Sequence, residues 1–178
     1  MRILFASVCA AALLATPAFA SLKVGAKAPD FSATASIGGK EFKFALADAL
    51  KKGPVVLYFY PAAFTPGCTI EAHNFADAMD DFQKLGATVI GVSHDPIEKL
   101  DRFSLTECRS KFPVAADANG SIMKSYDSVS SGDPEYAART SYVIAPDGSV
   151  LYTYTAGDPT HHVEYTMAAV KKYADAHK

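Results

Sequence analysis

The sequence predicts an α/β domain built on a mixed β-sheet, and three observations carry that expectation. Residues 55–59 are an unbroken apolar run, as a strand buried on both faces requires, and residues 87–92 read as a second buried strand. After each the pattern turns helical, so strand and helix alternate. Two turn signals, Gly38-Gly39 and Pro146-Asp147-Gly148, add hairpins to this alternation and make the sheet mixed rather than all parallel. A length of 178 residues suits one domain with a real core, and no repeat, low-complexity tract or linker divides it.

Residues 1–20 are expected to be a signal peptide that is cleaved. Arg2 supplies the positive start, residues 3–14 an apolar stretch too short for a comfortable membrane span, and Ala18-Phe19-Ala20 a small-residue cleavage site before Ser21. The domain is then 21–178. Cys9 leaves with the peptide, and Cys68 and Cys108 remain. The expected location is an exported one, the periplasm, where disulfides persist.

The elements follow in order. Residues 22–36 begin irregular, with a turn at Ala28-Pro29-Asp30-Phe31, and Gly38-Gly39 joins strands over 32–37 and 41–44. Residues 46–52 form a short helical turn ended by Gly53-Pro54. The strand 55–59 stops at Tyr60-Pro61, and a Pro/Gly loop carries Thr65, Pro66 and Gly67 into Cys68. From Thr69, Ala72, Phe75, Met79 and Phe82 share one helix face, Asp77, Asp80, Asp81 and Lys84 lie on others, and Gly86 is the stop. After the strand 87–92, Asp95 is read as a cap, Pro96 as the first helical turn and Glu98 as the partner in a capping box. That helix must end by Phe112-Pro113, which puts Cys108 in its last turn. A short strand at 114–116, a helical turn or two at 119–126 and a polar surface loop at 128–138 come next. Strands over 140–145 and 149–155 then flank the second hairpin. Asp158-Pro159 opens the last helix, with Val163, Met167, Val170 and Ala174 as its apolar stripe.

Composition excludes some functions. The chain is 49% hydrophobic and 20% charged with net charge −2, so nothing electrostatic favours nucleic acid or an anionic membrane. His161-His162 with Glu164 lacks a third spaced ligand group and reads as a solvated helix start, and His94 as a loop residue near a cap. The chemistry gathers at Cys68. A thiol where a buried strand gives way to a helix N-terminus sits where the thiolate is favoured. With two cysteines, a structural bridge, a redox pair and two unrelated thiols all remain open.

Pro61-x-x-x-Thr65-x-x-Cys68, with Phe59-Tyr60 before it and Thr69-x-Glu71 after it, resembles the active-site signature of peroxiredoxins, most nearly the branch called PrxQ or bacterioferritin comigratory protein. Ala28-Pro29-Asp30-Phe31, Arg139-Thr140-Ser141-Tyr142 and Pro146-Asp147-Gly148 match further family stations in order, so the resemblance spans about residues 22–175. It implies a thioredoxin-like fold: a central mixed sheet flanked by helices, with an N-terminal β-hairpin. It also implies peroxide reduction without metal or organic cofactor, a thioredoxin-like or other thiol reductant, and a monomer or weak dimer. On this resemblance Cys68 is the nucleophile that becomes sulfenic acid, and Arg139 favours its thiolate and the developing oxyanion. Thr65 turns its hydroxyl towards thiolate and peroxide, Pro61 shields the thiolate, and Glu71 orients Arg139. Tyr60 and Phe64 line the peroxide entrance. One form of the branch has a resolving cysteine five residues after the reactive one; here that residue is His73. A second form has it on the next helix, which points to Cys108. A Cα separation beyond about 7 Å would forbid that bridge unless a helix end unravels.

Three alternative readings share these residues. A thiol–disulfide oxidoreductase wants Cys-x-x-Cys, whereas this chain has Thr65-Pro66-Gly67-Cys68. A non-catalytic protein with a Cys68–Cys108 disulfide would lose stability on reduction. A peroxidase resolved by an outside thiol would leave Cys108 inert.

Overall fold

The computed structural model describes residues 21–177, so the signal-peptide reading of 1–20 lies outside the described residues. Seven strands form one sheet: β1 (Ser32–Ile37), β2 (Lys40–Ala45), β3 (Val55–Phe59), β4 (Thr88–Ser93), β5 (Val114–Ala116), β6 (Thr140–Ile144) and β7 (Val150–Thr155). Their order across the sheet is β2-β1-β5-β4-β3-β6-β7. The three central strands β5, β4 and β3 are parallel, and antiparallel strands extend the sheet on both sides. The helices are α1 (Leu46–Leu50), α2 (Pro66–Lys84), α3 (Ile97–Thr106), α4 (Ser121–Ser125) and α5 (His162–Ala176). Among the described residues no helix is long and apolar enough to cross a membrane.

Every residue of β3 is buried because it packs on both faces. Val55, Leu57 and Phe59 join Leu46, Ile90, Tyr126 and Tyr142 on one side. Val56, Tyr58 and Tyr60 alternate to the other and join Phe75, Met79, Phe82, Phe103 and Phe112, with α2 and α3 above them. The continuous apolar run is therefore two cores read alternately.

Gly53, in the turn before β3, has φ +152°, and a Cβ there would lie 2.2 Å from the Gly86 carbonyl oxygen that follows α2. Two chain segments cross at this point with no room for a side chain. Gly53→Ala is expected to cost roughly 2 kcal/mol or more, seen as a lower urea midpoint with unchanged slope.

Four boundaries differ from the sequence reading. Helix α2 begins at Pro66, in the first turn where proline lacks no needed hydrogen bond, so Cys68 lies inside that turn rather than ahead of it. Asp95 does not cap α3, whose N-cap position is Pro96; its carboxylate is drawn inward instead. The helix ends at Thr106, so Cys108 follows it: its N–H still donates to the Phe103 carbonyl at 3.0 Å, and Arg109 and Ser110 then turn left-handed at φ 50° and 58°. Asp158 accepts from the N–H and hydroxyl of Thr160, a turn that delays α5 to His162. The loop 128–138 is not wholly superficial, since Val129 bridges Ala137, and Ser128 and Ala137 are buried.

Candidate active site

The site lies where β3 ends. The Tyr60 N–H donates to the Val92 carbonyl at 3.2 Å, so the chain leaves β3 still tied to β4. The loop is held from below by Asp95, which accepts from the Ala63 N–H at 2.7 Å, the Ser93 hydroxyl at 2.9 Å and the Lys99 ammonium at 2.7 Å. Sequence reasoning missed this support; a Ser-x-Asp directly after a buried strand was the available signal. Phe64 takes φ 66°, Thr65 returns to extended backbone as N-cap, and the Thr69 N–H closes the first turn on the Thr65 carbonyl at 2.9 Å.

Cys68 is 1% exposed. Arg139 reaches it from the start of β6, because the β3–β6 register pairs Phe59 with Thr140 and so sets Arg139 beside the end of β3. The guanidinium points three ways. Nη2 contacts the Cys68 sulfur at 3.5 Å, Nη1 donates to Glu71 Oε2, and Nε donates to the Gly157 carbonyl at 3.0 Å. Gly67 makes space for this, since a Cβ there would lie 3.0 Å from Nη2. Arg139 is thus buried, not a surface ion-pairing residue.

Glu71, one helical turn after Cys68, is fully buried. Burial pushes its carboxyl up to about 8, against the pull of Arg139 in the other direction. Its Oε1 has no hydrogen-bond partner among the described residues. His162 Nδ1 stands 3.6 Å from that oxygen. His162 overturns its expected place in a solvated helix start: it is fully buried, bonded to the Ser141 hydroxyl at 2.8 Å and the Ala156 carbonyl at 3.1 Å. Burial holds its imidazole down at about 4, with the Ala156 bond pulling the other way. His161 does stay exposed, and among the described residues no His/Cys/Asp/Glu group has metal-binding geometry. His94 is a loop residue whose Nδ1 donates to the Asp117 carbonyl at 2.9 Å.

The Thr65 hydroxyl donates to the Ala62 carbonyl at 2.9 Å. Its one proton is therefore committed, and the expected donation towards the thiolate is replaced by an oxygen available as acceptor. Pro61 is half-buried and lines, with Ala138, Arg139, Thr155 and Gly157, a cleft of about 250 Å³. Phe64 is exposed at the surface, but Tyr60 is fully buried against the ring of Phe103 and does not line an entrance. A larger apolar groove of about 600 Å³ lies away from Cys68, between β7 and α5.

Among the described residues Cys68 and Cys108 are free thiols. Both belong to the apolar cluster that contains Tyr58, Tyr60 and Phe103. Cys108 is 0% exposed; burial first, and the charge of Glu107 second, push its thiol well above the ordinary range. Its segment is tied to α2 by His73–Glu107 at 2.8 Å, Arg109–Asp77 at 2.5 Å and Lys111–Asp80 at 3.4 Å.

The profile of the AhpC/TSA family matches residues 24–153. Peroxiredoxin Bcp of Escherichia coli K12 is 30% identical over 127 residues, covering 67% of this chain and 80% of that protein. The crystal structure of peroxidoxin BcpB from Mycobacterium tuberculosis superposes with a TM-score of 0.77 at 30% identity, covering 85% of this chain and 97% of that one. Xanthomonas campestris peroxiredoxin Q superposes with a TM-score of 0.70 at 27% identity, covering 79% and 90%. The mixed sheet with its flanking helices is thus the thioredoxin-like fold of these neighbours. With more than half its length matched by the family profile, and relatives and structural neighbours in the Bcp and PrxQ proteins, the chain belongs to the AhpC/TSA family as a peroxiredoxin of the PrxQ/Bcp branch, a thiol-dependent oxidoreductase acting on peroxides.

Proposed function

We propose that this chain reduces hydrogen peroxide and organic hydroperoxides through Cys68, which is then resolved by Cys108. The observation that carries the reading is the Arg139 guanidinium held 3.5 Å from a buried sulfur at the head of α2. A cation there can pair with the attacking sulfur, and in a dry site it also stabilises the charge that develops on the departing oxygen. The thiolate attacks one peroxide oxygen, so an S–O bond forms and the O–O bond breaks. Cys68 is oxidised to sulfenic acid, and the departing alkoxide or hydroxide takes a proton and leaves as alcohol or water. Thr65 accepts from the peroxide O–H, Pro61 walls the thiolate from bulk water, and Glu71 holds the guanidinium in its plane.

In the second step the Cys108 sulfur displaces water from the sulfenic acid and a disulfide forms. Cys108 is buried and its thiol is held neutral, so this step requires its segment to move. The left-handed Arg109 and Ser110 favour release at that point, because non-glycine residues hold such dihedrals at a cost. A thioredoxin-like dithiol then returns both thiols. We further propose export to the periplasm after loss of residues 1–20, on the sequence pattern above, and a monomer or weak dimer as the working state.

The test is one equivalent of hydrogen peroxide added to the reduced protein, followed by peptide mapping. A Cys68–Cys108 peptide pair within one chain is the expected product. In Cys108→Ser the first equivalent is still consumed, while steady turnover with a thioredoxin-type reductant falls about tenfold or more. Sulfenic Cys68 beside free Cys108 in wild type would instead assign resolution to an outside thiol.

A further inference from the structure

His162 and the unpaired oxygen of Glu71 are left unused by the scheme above, and they face each other. The Ala156 carbonyl can only accept, so His162 Nε2 carries the ring proton in that 3.1 Å bond. In the neutral ring Nδ1 is then a lone pair, and the Ser141 hydroxyl donates to it at 2.8 Å. Glu71 Oε1 lies 3.6 Å from the same nitrogen with no partner of its own among the described residues. Two lone-pair atoms in a dry space repel, and an unpaired buried oxygen is costly. A proton on Oε1 turns that contact into a hydrogen bond after a shift of under about 1 Å, the Ser141 hydroxyl then sharing or yielding the single Nδ1 lone pair. Oε2 still accepts from Arg139, as the carbonyl oxygen of a neutral acid can.

The charges agree. The groups facing this pair are Arg139 just before β6, Cys68 on α2 itself, Tyr58 from β3, Tyr154 from β7 against the imidazole ring, and Asp158 from the loop before α5. Burial keeps the Tyr58 hydroxyl neutral, and Asp158 is at the surface. Arg139 is thus one buried cation that can balance one buried anion. With Cys68 as thiol, that anion is the Glu71 carboxylate; with Cys68 as thiolate, Glu71 must be neutral.

We infer that Glu71 and His162 store the proton that the Cys68 site exchanges in each turnover, with Glu71 Oε1 as carrier and His162 Nδ1 as the atom that receives its hydrogen bond. This rests on Cys68 being the peroxide-reducing thiol. The proton leaving sulfur is matched by the one gained on Oε1, so the buried site stays neutral. When the S–O bond forms and the O–O bond breaks, the alkoxide leaves with that proton. The Glu71 carboxylate then balances Arg139 beside an uncharged sulfenic acid. A carboxyl raised to about 8 and an imidazole lowered to about 4 make the acid, not the ring, the carrier at neutral pH. His162 is a positioning residue in this scheme.

The decisive measurement is the infrared difference spectrum of reduced protein before and after one equivalent of hydrogen peroxide. A protonated-carboxyl band should disappear on reaction and be missing throughout in Glu71→Gln. The second measurement is the pH profile of the peroxide rate. In His162→Phe its acid limb should move up by about one pH unit, so that the rate below the midpoint falls about tenfold and recovers in alkali. His162→Asn keeps an acceptor near Nδ1 and should restore part of the shift. Absence of the carboxyl band in reduced wild type overturns the inference, as does an unchanged profile in folded His162→Phe. If His162→Phe does not fold, the wild-type spectrum decides alone. A wild type that fails to consume peroxide would sink the peroxidase reading itself, whereas one that consumes it without the carboxyl signal would sink the proton store alone.

Discussion

Cys68→Ser is expected to consume hydrogen peroxide at least about 10³-fold more slowly than wild type, because an alcohol at this position is neither ionised nor soft enough to open an O–O bond. The swap is nearly isosteric and Cys68 is buried at the head of α2 with no disulfide, so folding is expected to survive. Stopped-flow peroxide consumption together with a urea unfolding curve separates loss of chemistry from loss of fold. Near-wild-type consumption by a folded Cys68→Ser would move the nucleophile elsewhere. Fast exchange with a protein disulfide by a wild type that ignores peroxide would favour a thiol–disulfide oxidoreductase.

Arg139→Gln should cost about 10²–10³-fold in kcat/KM for peroxide, the range for losing one preorganised charge donor in a dry site. Lysine should not rescue it. The guanidinium serves the Cys68 sulfur, Glu71 and the Gly157 carbonyl at once through three nitrogens, and an ammonium cannot keep that fork. The same variant carries a stability signature. Glu71 is raised from an ordinary 4.5 to about 8, so between those values the folded chain holds a proton that the unfolded chain has released. Stability therefore falls as pH rises through that window. Arg139 pulls the Glu71 value down, so its loss extends the window upwards. Arg139→Gln should lose more stability at about pH 9 than at about pH 5, measured by urea midpoints at both. Equal losses at the two values would show that Glu71 does not depend on Arg139 for its charge.

How far the chain could be read without its structure depends on the range of the forces involved. The hairpin at Gly38-Gly39, the buried run of β3, the apolar face of α2 and the second hairpin are near-neighbour patterns, and the strands they implied formed. The family signature around Cys68, with Arg139 far downstream, named in advance the residues that the β3–β6 register brings together. Errors came where a side chain found a better partner far away in sequence. Asp95 looked like a cap, but a buried amide of the Cys68 loop and the Ser93 hydroxyl claimed its carboxylate. His162 looked solvated until α5 laid it against Ser141 and Glu71. Cys108 looked helical, yet the segment after Thr106 turned left-handed and buried it.

By itself the sequence determined the order of strands and helices, because periodicity and turn chemistry act over a few residues, and its resemblance to a known family singled out Cys68 and Arg139 as a pair. Tertiary structure alone decided that Glu71 is dry, that a histidine from the last helix faces it, that the Thr65 proton is already committed, and that both thiols lie in one apolar cluster. Those facts depend on which distant groups exclude water from one another, and desolvation is a property of the packed whole rather than of any stretch of chain.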